Sequence, residues 1–508
     1  MTRGKRSYPR SRFQDGAEVF GASAYPRASI SRALREGRMR RLARGIYTTS
    51  LDETTREVID RNRLELAGIL FPGCVIGDRS AVSGGLPEPD GSLFLIADSD
   101  RQVQVGHLLF RSRHGAPPQP GDMPFPAGIY IAGTARSLLE NTRPSRARGG
   151  RSSRTLSRTE LEEWIERLLD QRGEKGINHL RDEARSLAGT LGLKQEFILL
   201  DRLIGSALGT RRARLSSPVL KARSAGHAFD PSRLELLGAL HRELHSLAPR
   251  IRPADPAEPR LRFLPFFEAY FSNYIEGTRF EIEEARAIVF EGRIPEARPA
   301  DAYDIVGTYA LVSDVEEMRR LPRDAGDYLE LLRSRHARLL EGRPEGLPGA
   351  FKREPNRAGT TTFVSPDRVI GTLERGFELY ASLAEPFQRA VYQMFLVSEV
   401  HPFADGNGRI ARVMMNSEFI ATGEQRIFIP TVYRDEYLGS LRALSHSGRP
   451  RPLIRVLDFA QRYTQSLDYS DFERARGLLE SSDAFVEPAD ADREGLRLRI
   501  PESSEPGR

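Results

Sequence analysis

The sequence predicts a mainly α-helical protein: a helical bundle crossed by one small β-hairpin, preceded by a basic helix-and-hairpin segment and a mixed α/β middle region. Three observations predict it. Apolar residues recur at helical spacing almost without a break from Leu261 to about Thr464. The main break, residues 349–366, contains Gly359 followed by Thr360, Thr361, Thr362, Phe363 and Val364, a turn and a β-prone run that reads as a short hairpin lying across helices. Near the start, Gly37 ends a helix around Ser29–Glu36, and residues 38–47 then alternate apolar with basic side chains until Gly45. A helix followed by an arginine-studded hairpin has the outline of a winged helix-turn-helix, in which basic side chains meet DNA phosphates.

Size and charge set the frame. The chain has 508 residues, enough for two to four domains, with 39% hydrophobic and 29% charged residues. No run approaches the ~18 apolar residues of a membrane span, and no signal segment is evident, so a soluble, cytoplasmic protein without membrane attachment is expected. The single cysteine, Cys74, excludes a disulfide framework and a thiolate metal cluster. Net charge is +6, but residues 1–50 hold twelve basic residues against Asp15, Glu18 and Glu36, a local balance of +9. Such asymmetry suggests a polyanionic partner for the front of the chain. The six arginines of residues 141–159 fit a linker better than a binding surface.

The remaining elements follow in order. Residues 1–14 are basic, polar and aperiodic, and read as a disordered arm. Residues 160–215 read as helices, including 161–170 and 195–208, and residues 229–247 as another. Pro249, Pro253, Pro256 and Pro259 then mark a connection. The tail after Asp468 is acidic, rich in Ser and Pro, and expected to be flexible. Asp78-Arg79-Ser80 has no evident histidine partner and reads as a structural turn. His241 and His245 have metal-ligand spacing, but Glu243 is misplaced for a zinc protease, so they read as exposed helix residues.

The chemistry concentrates in residues 401–412, His-Pro-Phe-Ala-Asp-Gly-Asn-Gly-Arg-Ile-Ala-Arg. A largely apolar helix over 388–400 precedes them, Pro402 ends it, and helical spacing resumes with Ile410, Val413 and Met414. Gly406–Gly408 therefore falls at a helix N-terminus, whose unpaired N–H groups and positive dipole suit an anion. Two glycines allow a phosphate close to the backbone. Arg409 and Arg412 can hold a polyphosphate, Asp405 can offer a hard oxygen to Mg²⁺, and His401 can act as a general base. Residues 406–411 also match G-x-G-x-x-A, but that fingerprint needs a preceding strand where a helix is expected here.

Residues 401–412 resemble the full signature of the Fic family, H-P-F-x-[D/E]-G-N-G-R-x-x-R, at all nine defined positions in twelve. The resemblance extends over roughly 217–466 and implies an all-helical Fic bundle whose hairpin, with Gly359, Thr360, Thr361, Thr362 and Phe363, is the target-positioning flap. It implies AMP transfer from ATP, with Mg²⁺, to a Ser, Thr or Tyr hydroxyl of a protein target. His401 would be the base and Asp405 the metal ligand. Gly406, Asn407 and Gly408 would bind the α-phosphate, and Arg409 and Arg412 the departing pyrophosphate. Asp405 and the intact Gly406–Arg409 separate the chain from the phosphate-transferring Doc branch. Residues 272–277, with Ser272, Glu276 and Gly277, resemble the family's inhibitory motif; Ser272 and Glu276 share a helix face, and Glu276 would pair with Arg412 and block the γ-phosphate.

Residues 31–47, 74–82 and 133–139 resemble AbiEi-type antitoxin and regulator proteins, implying a DNA-binding front half with Arg38, Arg40, Arg41 and Arg44 on the wing. The expected organisation is a basic arm (1–14), winged helix-turn-helix (15–58), AbiEi-like middle domain (59–216), Fic domain with inhibitory helix (217–466) and flexible tail (467–508). Two alternatives stand beside autoinhibited AMP transfer. One is removal of AMP with Glu276 positioning water; the other is a DNA-binding regulator with a silent, nucleotide-sensing Fic part. A homodimer is compatible with each.

Overall fold

The computed structural model describes residues 18–147, 149–254 and 258–501. The basic arm expected over 1–14 lies outside the described residues, as does Arg148. The chain divides into two compact units, Met1–Ala225 and Gly226–Arg508.

The first unit opens with β1 (Val19–Gly21), α1 (Arg27–Arg35), β2 (Arg40–Ala43) and β3 (Ile46–Thr48), the strands forming an antiparallel sheet in the order β1-β3-β2. The helix, its Gly37 stop and the hairpin lie where the sequence places them. A second helix completing a helix-turn-helix is not among the described residues ahead of α1. The helices α2 (Thr55–Arg61) and α3 (Arg63–Leu70) lead to β4 (Val75–Ile76), α4 (Asp78–Val82), β5 (Ser92–Ala97), β6 (Gln102–Val105), β7 (Leu108–His114), β8 (Met123–Phe125) and β9 (Ile129–Ile131). These strands make a mixed six-stranded sheet in the order β6-β7-β5-β4-β9-β8. The helices α5 (Thr134–Thr142), α6 (Arg158–Thr190), α7 (Lys194–Ala207) and α8 (Pro218–Ser224) share an apolar core. The expected boundary at 216/217 moves to 225/226, because α8 buries Leu220 in that core and Arg223 pairs with Glu166 at 2.7 Å. The turn expected at Asp78-Arg79-Ser80 is instead the start of α4, in which Ser80 is fully buried, its hydroxyl accepting from Phe94 N at 2.9 Å.

Among its described residues the second unit is helical apart from one hairpin: α9 (Pro231–His245), α10 (Leu264–Ile275), α11 (Ile282–Glu291), α12 (Pro299–Val312), α13 (Val315–Met318) and α14 (Ala325–Leu339) come first. The hairpin β10 (Arg357–Ala358) and β11 (Thr361–Thr362) follows, then α15 (Val369–Tyr380), α16 (Pro386–Val400), α17 (Asn407–Thr422), α18 (Arg434–Ser447) and α19 (Arg451–Gln465). The central pair α16 and α17 is buried nearly all round, as their apolar sequences require. No helix among the described residues is long and apolar enough to cross a membrane.

The expectation of a flexible tail over 467–508 is corrected up to residue 501. The helices α20 (Phe472–Ser481) and α21 (Pro488–Glu494) fold back and bury Phe472, Leu479 and Ala491 in one core with Leu264, Phe266, Phe267 and Phe271 of α10. The Phe267 and Phe472 rings stack with centroids 5.5 Å apart, and Arg279 pairs with Glu487 at 3.2 Å. Acidic, Ser-rich composition hid a few aromatic anchors at helical spacing. Phe472→Ala should destabilise the 226–501 unit by roughly 3–5 kcal/mol. A urea transition of that unit left at the wild-type midpoint would contradict the packing.

Candidate active site

The loop between α16 and α17 is built by backbone geometry as much as by charge. His401 caps α16 in the left-handed region (φ 52°), unusual outside glycine, and Pro402 prevents continuation. Gly406 turns the chain into α17 at φ 73°. The Asn407 side chain closes the loop: its Oδ1 accepts from Phe403 N and its Nδ2 donates to Phe403 O, both at 2.9 Å. Both ends of the Asn407 amide are thus engaged in shaping the loop. A helix, not a strand, precedes Gly406, which removes the dinucleotide reading.

His401 is set up to accept a proton. Its Nδ1 lies 3.2 Å from Ser398 O, and a carbonyl only accepts, so Nδ1 carries the hydrogen and Nε2 keeps its lone pair. Burial pushes its pKa down to about 4, with nearby Lys352 adding to the effect, so the imidazole is neutral at pH 7. The Phe363 ring of the hairpin stacks on it, centroids 3.8 Å apart and 4° from parallel. A second histidine, His336, stacks on Phe403 at 3.6 Å, accepts from Gly349 N at Nδ1 and donates through Nε2 to Asp405 O, each at 3.0 Å. Burial holds it too at about 4.

Four charges alternate around the loop. Arg409 pairs with Asp304 at 2.5 Å and with Asp405 at 3.5 Å, and Arg343 pairs with the same two carboxylates at 2.8 and 3.3 Å. Arg409 is buried in this ring, so in this conformation it braces the loop rather than facing a departing phosphate. Asp405 is the one acid of the signature, its side chain 46% exposed, with Oδ1 accepting from Gly406 N at 2.6 Å.

Arg412 is 5% exposed, and its guanidinium is held from α10: Nε donates to Ser272 Oγ at 2.9 Å, and Nη2 donates to Ser272 O at 2.8 Å and to Glu276 Oε1 at 2.7 Å. Burial pulls its pKa down, but the Glu276 carboxylate outweighs this and raises it. Glu276 ends α10 with its carboxylate against the start of α17. A Cβ on Gly408 would fall 2.1 Å from Glu276 Oε1, so a side chain there would displace the Glu276 carboxylate. Gly277 continues at φ 99°, turning the chain away. The pairing of Glu276 with Arg412, expected from the two motifs, is what the side chains make, and Ser272 adds two further acceptors that were not expected.

A cavity of about 550 Å³ joins these parts, lined by His401, Gly408, Arg412 and Glu276, by Gly359, Thr360, Thr361 and Phe363 of the hairpin, and by Tyr437 and Leu441 of α18. Thr362 belongs to the hairpin but contributes its carbonyl, which accepts from Arg233. Asp304, Arg343, His336 and Arg233 escaped the sequence reading, because each reaches the site from a remote segment carrying no local motif; Glu399 escaped it too, as a polar residue in a largely apolar helix. His241 bonds Ser382 Oγ at 2.7 Å and stacks on His245, with ring centroids 5.9 Å apart.

The bundle thus brings a neutral histidine, the first turn of a helix and an arginine to one cavity. Residues 327–418 match the model of the Fic/DOC family. The protein adenylyltransferase fic-1 of Caenorhabditis elegans is 24% identical over 318 residues, 59% of this chain and 60% of that protein. The protein adenylyltransferase Fic of Drosophila willistoni is 25% identical over 276 residues, 52% and 53% of the two chains. A solved structure of a Fic-1 fragment from C. elegans is 20% identical, covers 63% of this chain and 98% of that one, and superposes with a TM-score of 0.36. The chain thus spans between half and three fifths of the length of these curated relatives. It carries a Fic/DOC domain with protein adenylyltransferases among its homologues.

The two neutral histidines make stability pH-dependent. Their pKa is about 4 in the fold against an ordinary 6.5, so between those values the unfolded chain binds protons that the folded chain does not. Their contribution is complete above pH 6.5 and is lost as pH falls toward 4, roughly 3 kcal/mol for His336. NMR titration of the folded protein should find both imidazoles neutral at pH 5.5; titration near 6.5 would overturn the assignment.

Proposed function

We propose that the chain is an autoinhibited protein adenylyltransferase, moving AMP from ATP to a Ser, Thr or Tyr hydroxyl of a protein target. The observation that carries the reading is the base-ready His401 Nε2 facing the same cavity as Arg412 and the N-terminus of α17. His401 takes the proton of the attacking hydroxyl, its tautomer fixed by Ser398 O. The first-turn N–H groups at Gly408 and Arg409 hold the transferring phosphate, and Arg412 binds the terminal phosphates once Glu276 leaves it. The hairpin with Phe363 lays the acceptor segment across the cavity. Asp405 fits Mg²⁺: a half-exposed carboxylate beside the phosphate position, sufficient for an ion whose other ligands are phosphate and water. When bound, that ion neutralises phosphate charge.

Glu276 supports the inhibitory half of the reading. Its carboxylate occupies the spot at the start of α17 where an anion would sit, and it holds the arginine such an anion would use. His401→Ala should lower AMP transfer by roughly 10²–10⁴-fold with ATP binding retained. Glu276→Gly should raise automodification, read as the mass of one AMP added to the intact chain after incubation with ATP and Mg²⁺. Equal labelling of wild type and both variants would sink the reading. Glu276-dependent loss of AMP from a modified protein would favour the reverse reaction instead.

A second reading concerns the front of the chain, where a specific observation supports DNA binding. Arg27 and Arg32 of α1 and Arg41 and Arg44 of the hairpin are exposed and lack a carboxylate partner among the described residues. Two of the expected wing residues have other work: Arg40 donates to Ser50 O at 2.8 Å and to Glu53 O, and Arg38 pairs with Glu36. Replacing Arg41 and Arg44 by Ala should therefore weaken duplex binding at every sequence and shallow the log–log salt slope by about two units. Fluorescence anisotropy across salt concentrations tests this; no binding at low salt would end it.

A further inference from the structure

The hairpin that covers His401 is held at its base by Asn356, whose Nδ2 donates to Phe403 O at 2.9 Å, and at its far strand is tied to the end of α16 by a side chain from a helix outside the signature. Glu399 lies two residues before His401, is 2% exposed, and has its carboxylate at the cavity wall. One of its oxygens accepts from Arg233 Nη1, and the other accepts from Ser445 Oγ of α18 at 2.5 Å. Arg233, on the first turn of α9, has a second Nη that donates to the carbonyl of Thr362. Thr362 is the last residue of β11, and the next side chain, Phe363, is the ring stacked on His401. One planar guanidinium therefore spans from the end of α16 to the strand that covers it. The far side of the hairpin is held separately, by Thr361 Oγ1 and His446 Nε2 at 2.7 Å.

We propose that Arg233 is a positioning residue: its fork fixes the distance between the flap carbonyl of Thr362 and the helix end carrying His401, so that Phe363 stays over the imidazole and the flap presents an acceptor in register. The physical ground is the shape of the donor. Guanidinium offers two parallel N–H directions at fixed separation, and here each is taken by a different element. The Glu399 carboxylate fixes one end because it is desolvated and already held by Ser445, leaving the other end to act on the flap. A lysine at 233 keeps the positive charge beside Glu399 but, as a single point donor, cannot span both acceptors.

The consequences differ from those of general destabilisation. In full-length Arg233→Lys, amide hydrogen exchange over 357–363 should accelerate while exchange in α19 stays at the wild-type rate. Carbethoxylation of His401 by diethyl pyrocarbonate, followed by peptide mass spectrometry, should speed up by about tenfold, since the stacked ring no longer shields Nε2. Glu399→Gln, which keeps an acceptor for Arg233 but weakens the anchor, should fall between wild type and Arg233→Lys. Arg451→Lys, whose ion pair with Glu243 is on the exposed face, should match wild type.

The transfer arm rests on the adenylyltransferase reading. With Glu276→Gly as background, Arg233→Lys should lower automodification at saturating ATP about tenfold and leave the half-saturating ATP concentration unchanged. The exchange and carbethoxylation arms need no AMP transfer, so they stand or fall independently of that reading. The proposal is overturned if folded Arg233→Lys shows wild-type flap exchange and wild-type His401 reactivity. Should Arg233→Lys fail to fold, wild-type behaviour of Glu399→Gln in both measurements overturns it equally.

Discussion

A guanidinium that is 5% exposed has to be paired, and much of the second unit is arranged around that requirement at Arg412. Its partners come from a helix 140 residues earlier in the chain, through the Ser272 hydroxyl, the Ser272 carbonyl and the Glu276 carboxylate. Removing Glu276 without a replacement would leave a buried charge half satisfied. On the proposed reading, a polyphosphate would be that replacement.

The signature divides into parts that face the cavity and parts that make the loop possible. His401, Gly408 and Arg412 line the cavity. Asn407 clamps the backbone of Phe403, Arg409 and Asp405 join the ring of four charges with Asp304 and Arg343, and Phe403 carries the stacked His336. A left-handed histidine at 401 is strained for a residue with a side chain, and these contacts hold it there. The strain has a use: it turns the imidazole off the end of α16 and into the cavity.

How much of this was legible followed the range of each interaction. Helix ends, the loop glycines and the Gly359–Phe363 hairpin are set by neighbouring residues, and the sequence pattern located them. The contact between the Ser272–Glu276 motif and Arg412 was long-range, yet two recognisable local patterns made it foreseeable. Asp304, Arg343, His336 and Arg233 had no such pattern: an aspartate on a helix looks the same whether it meets water or a buried arginine. The strand order β6-β7-β5-β4-β9-β8 was beyond reach for the same reason, because alternation marks a strand but not its neighbours. The tail was misjudged on composition, when three or four aromatic and aliphatic side chains decide whether a segment can dock.

The packing of α10 against α20 has a consequence in time. The aromatic layer around Phe266, Phe267 and Phe472 joins a helix ending at Ile275 to one beginning at Phe472, nearly two hundred residues downstream. At a synthesis rate of roughly 5–20 residues per second, the earlier helix waits on the order of ten seconds or more for the surface that seats it. The His401–Arg412 loop is complete before that surface exists. A chain ending short of Phe472 would hold all of residues 272–277 and 401–412, yet lack the far side of the aromatic layer against which α10 packs. The segment carrying Glu276 is made early, and the last of its aromatic neighbours arrive only with Phe472 and Phe485.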